Sequence, residues 1–193
     1  ANSYHLQSRY AEAEGLYQKV VEVRRRRLGS EHPDTLESMN TLAANYDMQG
    51  KYPPAEALYS QTLAVRRRVL GAEHPHTLWS ANELAWVYIE QGKYAPAEAL
   101  YLQTLEIQRR VLGPEHPSTL SSENGLAYLY LCQGRYPQAE ALWRQALEAS
   151  RRVLGADHPN TLSILNNVAE ACDRQGNAAQ AEALNAEALE IRT

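Results

Sequence analysis

The chain of 193 residues contains no phenylalanine and only two cysteines and two methionines, yet it carries twelve tyrosines. Cys132 and Cys172 are too few for a disulfide framework, and no CxxC pair or Cys/His cluster offers a metal site. This cysteine usage fits a reduced, cytoplasmic setting. Cationic excess is also missing: the formal charge is -4 and the isoelectric point is near 5.9, which argues against a nucleic-acid partner. No apolar run approaches the roughly 18 to 20 residues of a membrane helix, and the first residues lack a signal-type apolar core, so no membrane contact is expected. GxSxG, GxxxxGK[ST] and HExxH are all absent. The chain is therefore not expected to be an enzyme, and no catalytic residue, metal or cofactor is implied.

What is present is a repeat. Leu-Gly-x-Glu/Asp-His-Pro-x-Thr-Leu begins at Leu28, Leu70, Leu112 and Leu154, each 42 residues after the last. Gln-Gly-Lys/Arg-Tyr, with Ala-Glu-x-Leu-Tyr/Trp behind it, follows the same step at Gln49, Gln91 and Gln133, and degenerates at Gln175. Ala1, Tyr4 and Gln7 hold the places of Ala43, Tyr46 and Gln49 one period earlier, so the sequence is expected to start partway through a helix. Ile191 and Arg192 match Val65 and Arg66, which places the end inside another.

Each period carries two helical patterns. The first runs from about 34 to 49, follows Pro33 and stops at Gly50. The second runs from about 53 to 70, with Ala55, Leu58, Tyr59, Thr62, Leu63, Val65 and Val69 spaced as one apolar face, and stops at Gly71. No segment alternates with period two, so no strand is expected. A lone hairpin of this size cannot bury its apolar faces; stacked hairpins bury them against one another.

Together, Leu-Gly-x-Glu-His-Pro, Asn-x-Leu-Ala-x-x-Tyr-x-x-Gln-Gly-Lys-Tyr and Ala-Glu-x-Leu-Tyr resemble the 42-residue tetratricopeptide repeat (TPR) of kinesin light chains over essentially the whole chain. The resemblance implies an all-α fold, a right-handed superhelical solenoid of antiparallel helix pairs. Residues 1–193 would form a single array with repeats at about 1–28 (partial), 29–70, 71–112, 113–154 and 155–193 (truncated). Nine helices are expected, the first of them cut short.

The first helix of each repeat carries two stripes. Leu42, Ala43 and Tyr46 recur as Leu84, Ala85 and Tyr88, as Leu126, Ala127 and Tyr130, and as Val168, Ala169 and Cys172, which marks packing. A second stripe changes chemistry from copy to copy: Trp79, Asn82, Trp86, Ile89 and Glu90, then Ser121, Asn124, Tyr128, Leu131 and Cys132, then Ser163, Asn166, Glu170, Asp173 and Arg174. The resemblance implies that this stripe lines a concave channel. Trp79 and Trp86 suit either a pocket that anchors an apolar side chain or packing beneath the next repeat. Within the variable stripe, Asn40, Asn82, Asn124 and Asn166 do not vary. Their amides could clamp the backbone of an extended peptide, as the resemblance implies, or could bond neighbouring helices. Acidity at Glu37, Asp47, Glu90, Glu170 and Asp173 favours basic ligand residues, whereas kinesin light chains take acidic cargo peptides with a tryptophan.

His32, His74, His116 and His158 precede proline in every loop and suit loop-pinning or helix capping. Arginines closing each second helix, such as Arg66 to Arg68, and glutamates near its start, such as Glu56, Glu98 and Glu140, complement the helix dipole. The resulting expectation is a protein-protein interaction scaffold that binds a partner's peptide through Trp79, Asn82, Trp86, Ile89, Asn124, Tyr128, Leu131, Asn40 and Asn166. Two other readings stand beside it. One is a regulatory or sensor arm of a larger signalling protein of the STAND ATPase kind; the other is a module that self-associates end to end through its truncated helices.

Overall fold

The computed structural model describes the backbone of residues 2–192 and the side chains of residues 9–191. The register matches at Ala1, Tyr4, Gln7 and Arg192 lie outside the described side chains. The chain divides into two compact units, residues 1–93 and 94–193. The described residues are all helix and connecting turn, in nine helices. The first unit holds α1 (Asn2–Leu28), α2 (Pro33–Met48), α3 (Tyr52–Val69) and α4 (Pro75–Glu90). The second holds α5 (Tyr94–Val111), α6 (Pro117–Cys132), α7 (Tyr136–Leu154), α8 (Pro159–Arg174) and α9 (Ala178–Arg192). Within each unit every helix packs on the next one in sequence.

The helix limits follow from local chemistry. Each first-type helix opens with proline, whose missing N–H would be unpaired there in any case. The preceding histidine is the N-cap: Nδ1 of His32, His74, His116 and His158 accepts the backbone N–H two residues on, at 3.2, 3.2, 3.1 and 3.1 Å. At the other end Gly50 takes φ 69°, and the Lys51 N–H turns back to the Tyr46 carbonyl at 2.9 Å.

That glycine explains a departure from the expected outline. Where Gly50 recurs at 92, 134 and 176, the earliest copy has Ser8, and α1 runs through it as one helix of 27 residues. A serine gains nothing from the left-handed conformation, so the helix does not break there. The first described helix is therefore continuous from Asn2 to Leu28.

Small residues set the spacing between helices. Ala43, Ala85 and Ala127 on first-type helices and Ala55, Ala97 and Ala139 on second-type helices are all fully buried. In the first unit Val21, Leu36, Met39 and Leu42 join α1 to α2, with Tyr17, Tyr46, Leu58 and Val65 packed around them. Leu84, Leu126 and Val168 take the Leu42 position in later copies, and each is buried.

Candidate functional site

On α4, Trp79 is 41% exposed, Asn82 and Trp86 are half-buried, and Ile89 is only 5% exposed. On α6, Asn124, Tyr128 and Leu131 are half-buried; on α8, Asn166 is exposed. Asn40 on α2 is fully buried, and its Nδ2 donates to Ser80 Oγ on α4 at 3.3 Å. Asn40 and Ile89 are thus walled in, and neither presents its side chain on an open surface. The recurrent asparagines occupy unlike surroundings. Asn124 Oδ1 accepts from Trp143 Nε1 at 2.7 Å and from Asn167 Nδ2 at 3.1 Å. Within each unit bonds tie one first-type helix to the next, α2 to α4 through Asn40 and Ser80 and α6 to α8 through Asn124 and Asn167, so a side chain's exposure depends on what stands beside it. α8 has no further first-type helix beside it among the described residues, and its Ser163, Asn166, Glu170, Asp173 and Arg174 are all exposed.

A second recurring arrangement binds each hairpin to its successor. Gln49, Gln91, Gln133 and Gln175 donate through Nε2 to Glu14, Glu56, Glu98 and Glu140, 35 residues earlier, at 3.1, 2.7, 3.4 and 2.6 Å. Lys51, Lys93 and Arg135 add an ion pair to the first three carboxylates at 2.6, 2.6 and 2.8 Å. The same cations lie over Tyr46, Tyr88 and Tyr130, 5.9, 5.7 and 3.9 Å from the ring centres. The fourth copy lacks both partners of that stack, having Cys172 for the tyrosine and Asn177 for the cation. There Arg144 reaches Glu140 from its own helix at 2.7 Å and places Nη2 3.8 Å from Cys172 Sγ. These glutamates therefore join neighbouring hairpins as well as suiting the helix dipole. The sequence carried a signal for this, since Glu, Gln and the cation recur at one fixed spacing.

The second-type helices also end in a recurring contact. Arg66 on α3 is 3% exposed; its Nη1 donates to the His76 carbonyl at 3.0 Å and to Ser80 Oγ at 2.8 Å, and its Nη2 to Glu37 at 2.9 Å. The guanidinium stands 5.8 Å from the Trp79 ring centre. Burial pulls the Arg66 pKa down, opposed by Glu37. One period earlier Arg24 makes the matching bond to Ser38 at 2.7 Å. The series then changes to Gln108 and Ser150, both buried. Ser150 bonds Thr161 hydroxyl to hydroxyl at 2.8 Å, and Ile164 stands where Ser80 stood.

Two clefts of similar size open at this position. One in the first unit, of about 200 Å³, has Pro33, Leu36, Glu37, Val69 and His76 around Arg66. One in the second unit, of about 230 Å³, has Pro117, Leu120, Ser121, Val153 and Asn160 around Ser150. Each pair of walls is two periods apart in sequence.

Carboxylates gather in the first unit. Glu83 accepts from the Tyr59 hydroxyl at 3.3 Å, and Glu90 from the Tyr52 hydroxyl at 3.0 Å. Burial pushes the Asp47 and Glu83 pKa values up; Glu90 adds to the effect on Asp47, and Asp47 to that on Glu83. No group of three metal-ligating side chains occurs among the described residues. Both cysteines are free, and burial raises the Cys172 pKa. None of the described helices is long and apolar enough to cross a membrane.

Comparison with known proteins matches this architecture. The family profile of the tetratricopeptide repeat fits residues 1–68, 55–110, 90–142 and 118–193. No match was found among curated proteins. The chain is 32% identical to the nearly identical TPR-like repeats assigned to a kinesin light chain of Podosopora anserina, with a TM-score of 0.80 to their crystal structure over 99% of this chain and 93% of that one. BtubC (BKLC) from P. vanneervenii is 23% identical, with a TM-score of 0.82 over 97% and 75% of the two chains. Bacillus thuringiensis PlcR, in complex with the peptide PapR7 and DNA, is 15% identical, with a TM-score of 0.70 over 98% and 69%.

Proposed function

Because the chain belongs to the tetratricopeptide-repeat family in its kinesin light chain-like form, a family of protein-interaction scaffolds, we propose that it captures a peptide segment of a partner protein on the variable stripe of its first-type helices. The observation that carries this reading is Trp79, a tryptophan 41% exposed on a helix whose packing face is already filled by Leu78, Ala81, Leu84 and Ala85. Exposed indole surface costs solvation free energy that a ligand side chain recovers on binding.

In the first unit the contact residues are Trp79, Asn82 and Trp86; in the second they are Asn124, Tyr128, Leu131 and Asn166. Asn40 and Ile89 support the stripe from beneath. The neighbouring Asp47, Glu83 and Glu90 favour a basic residue in a ligand of the first unit. PlcR, whose fold is similar, was solved with a bound peptide, which agrees with a peptide ligand. The role is that of a scaffold in the cytoplasm, without a catalytic step of its own.

A peptide-array screen tests it. Peptides retained by the chain should bind Trp79→Ala and Trp86→Ala variants more weakly by roughly 1 to 3 kcal/mol, with melting unchanged. Equal affinity at equal melting temperature refutes the assignment.

A further inference from the structure

The two equivalent clefts differ in charge. In the first unit the chain plugs the cleft itself: Arg66 lies inside, neutralised by Glu37 and bonded to Ser80 Oγ and the His76 carbonyl. Glu31 and Asp34 complete an acidic rim. In the second unit all three members of that plug are exchanged: Arg66 becomes Ser150, Glu37 becomes Ser121 and Ser80 becomes Ile164. The cleft that remains, between α6, α7 and α8, is lined by Leu120, Val153, Leu154 and Ile164, with Ser121, Asn124, Asn160 and Ser163 among its polar walls, and no charged side chain among the described residues lines it.

Its polar groups are partly committed. Ser150 is satisfied by Thr161, so the floor asks for no ionic partner. Asn124 spends its carbonyl oxygen on Trp143 and Asn167, which leaves its amide N–H groups as the donors it can offer. At about 230 Å³ the cleft is smaller than the roughly 300 Å³ at which small-molecule sites begin. One amino-acid side chain fits that volume.

We propose that the cleft between α6, α7 and α8 receives a single uncharged aliphatic or aromatic side chain from the partner peptide, replacing in trans the side chain that Arg66 supplies in cis in the first unit. Asn124, on the cleft wall, donates to a carbonyl of the same peptide. An acidic or basic side chain is excluded, because its charge would leave water without a counter-ion in the cleft. This rests on the peptide-binding reading above and adds the location and chemistry of one anchor.

The test uses the full chain and a library of nonapeptides whose central residue is Leu, Phe, Asp or Lys. Leu and Phe peptides should be retained at least about tenfold better than Asp and Lys peptides. A Ser121→Glu, Ser150→Arg, Ile164→Ser triple variant rebuilds the self-plug of the first unit and should erase that preference. Should the triple variant fold poorly, Ser121→Lys, an exchange at an exposed rim position, should instead turn the preference toward Asp. Tyr128→Ala, in the same unit and outside the cleft lining, should weaken all four peptides alike. Retention lowered by Tyr128→Ala with the central-residue preference unaltered in both cleft variants overturns the anchor and spares the groove. No retention of any peptide overturns both. A change confined to sedimentation, with copies of the chain associating through the cleft, also overturns the peptide anchor.

Discussion

Gln91 reaches back 35 residues to Glu56, donating its amide Nε2 to the carboxylate at 2.7 Å, and the Lys93 ammonium meets the same Oε2 at 2.6 Å. One carboxylate at the start of a second-type helix thus holds the turn of the following hairpin. The same bond recurs from Glu14, Glu98 and Glu140.

Glu56→Ala should lower stability by about 1 to 2 kcal/mol, chiefly through the Gln91 amide left without its acceptor. The half-exposed lysine pair contributes little. Chemical denaturation of the variant beside the parent measures the loss. Lys93→Met, which keeps the Gln91 bond, should cost less.

Acid should weaken this set of bonds. Glu14 and Glu56 lie below their ordinary 4.5 mainly because lysine donates to them. At Glu98 and Glu140 burial pushes upward but is outweighed by the arginine and glutamine donors, so these also lie low. A carboxylate with a folded-state pKa below its unfolded value adds stability that is full above 4.5 and is lost as pH falls through the folded value. The melting temperature should therefore drop with acid in that window, and the slope should shrink in a Glu56→Gln, Glu98→Gln variant.

Glu83 works in the opposite sense. Burial raises its pKa above the ordinary 4.5, so its ionised form opposes folding, and protonation on descent toward 4.5 adds stability. Glu83→Gln keeps an acceptor for the Tyr59 hydroxyl and removes the charge. It should raise the melting temperature at neutral pH and leave it nearly unchanged in acid; a decrease at neutral pH would contradict the assignment.

Gly125 is required by a neighbour. A Cβ there would stand 2.5 Å from the Tyr101 hydroxyl oxygen and 2.6 Å from the ring carbon bearing it. Gly125→Ala should cost about 1 to 3 kcal/mol by overpacking, in spite of alanine's better helix propensity. Combination with Tyr101→Leu should recover part of the loss in a double-mutant cycle.

His74→Ala should cost about 1 kcal/mol, the usual worth of a helix N-cap. His74→Asn, which can also accept the His76 N–H, should restore most of it. Thermal melts of the two variants separate capping from any other role for the recurrent histidines.

The helices and their limits were legible because the punctuation is local: histidine caps, proline starts, and Gly50 accepts a left-handed φ. Ser8 carried the same kind of signal, an absent glycine, and its consequence is the unbroken α1. The candidate site was less legible. Asn40, Asn82, Asn124 and Asn166 are identical in sequence position, yet Asn40 is sealed by Ser80 while Asn166 faces solvent. Exposure along a seam is set by the neighbouring helix, a relation that periodicity within one helix does not contain. The cleft around Ser150 was hidden for a related reason, since its character comes from three exchanges on three helices.

The Glu–Gln bonds all span less than one period, so each hairpin is fastened only to the one before it. Such an arrangement is a chain of interchangeable cassettes. Excising one period, residues 71–112, would bring Gln133 to the distance from Glu56 that Gln91 now holds, and the fastening would close again on the same atoms. Length in this protein is thereby separable from the fastening itself, whereas each cleft draws its walls from two successive hairpins, so an excision rewrites the chemistry of the cleft at the new junction.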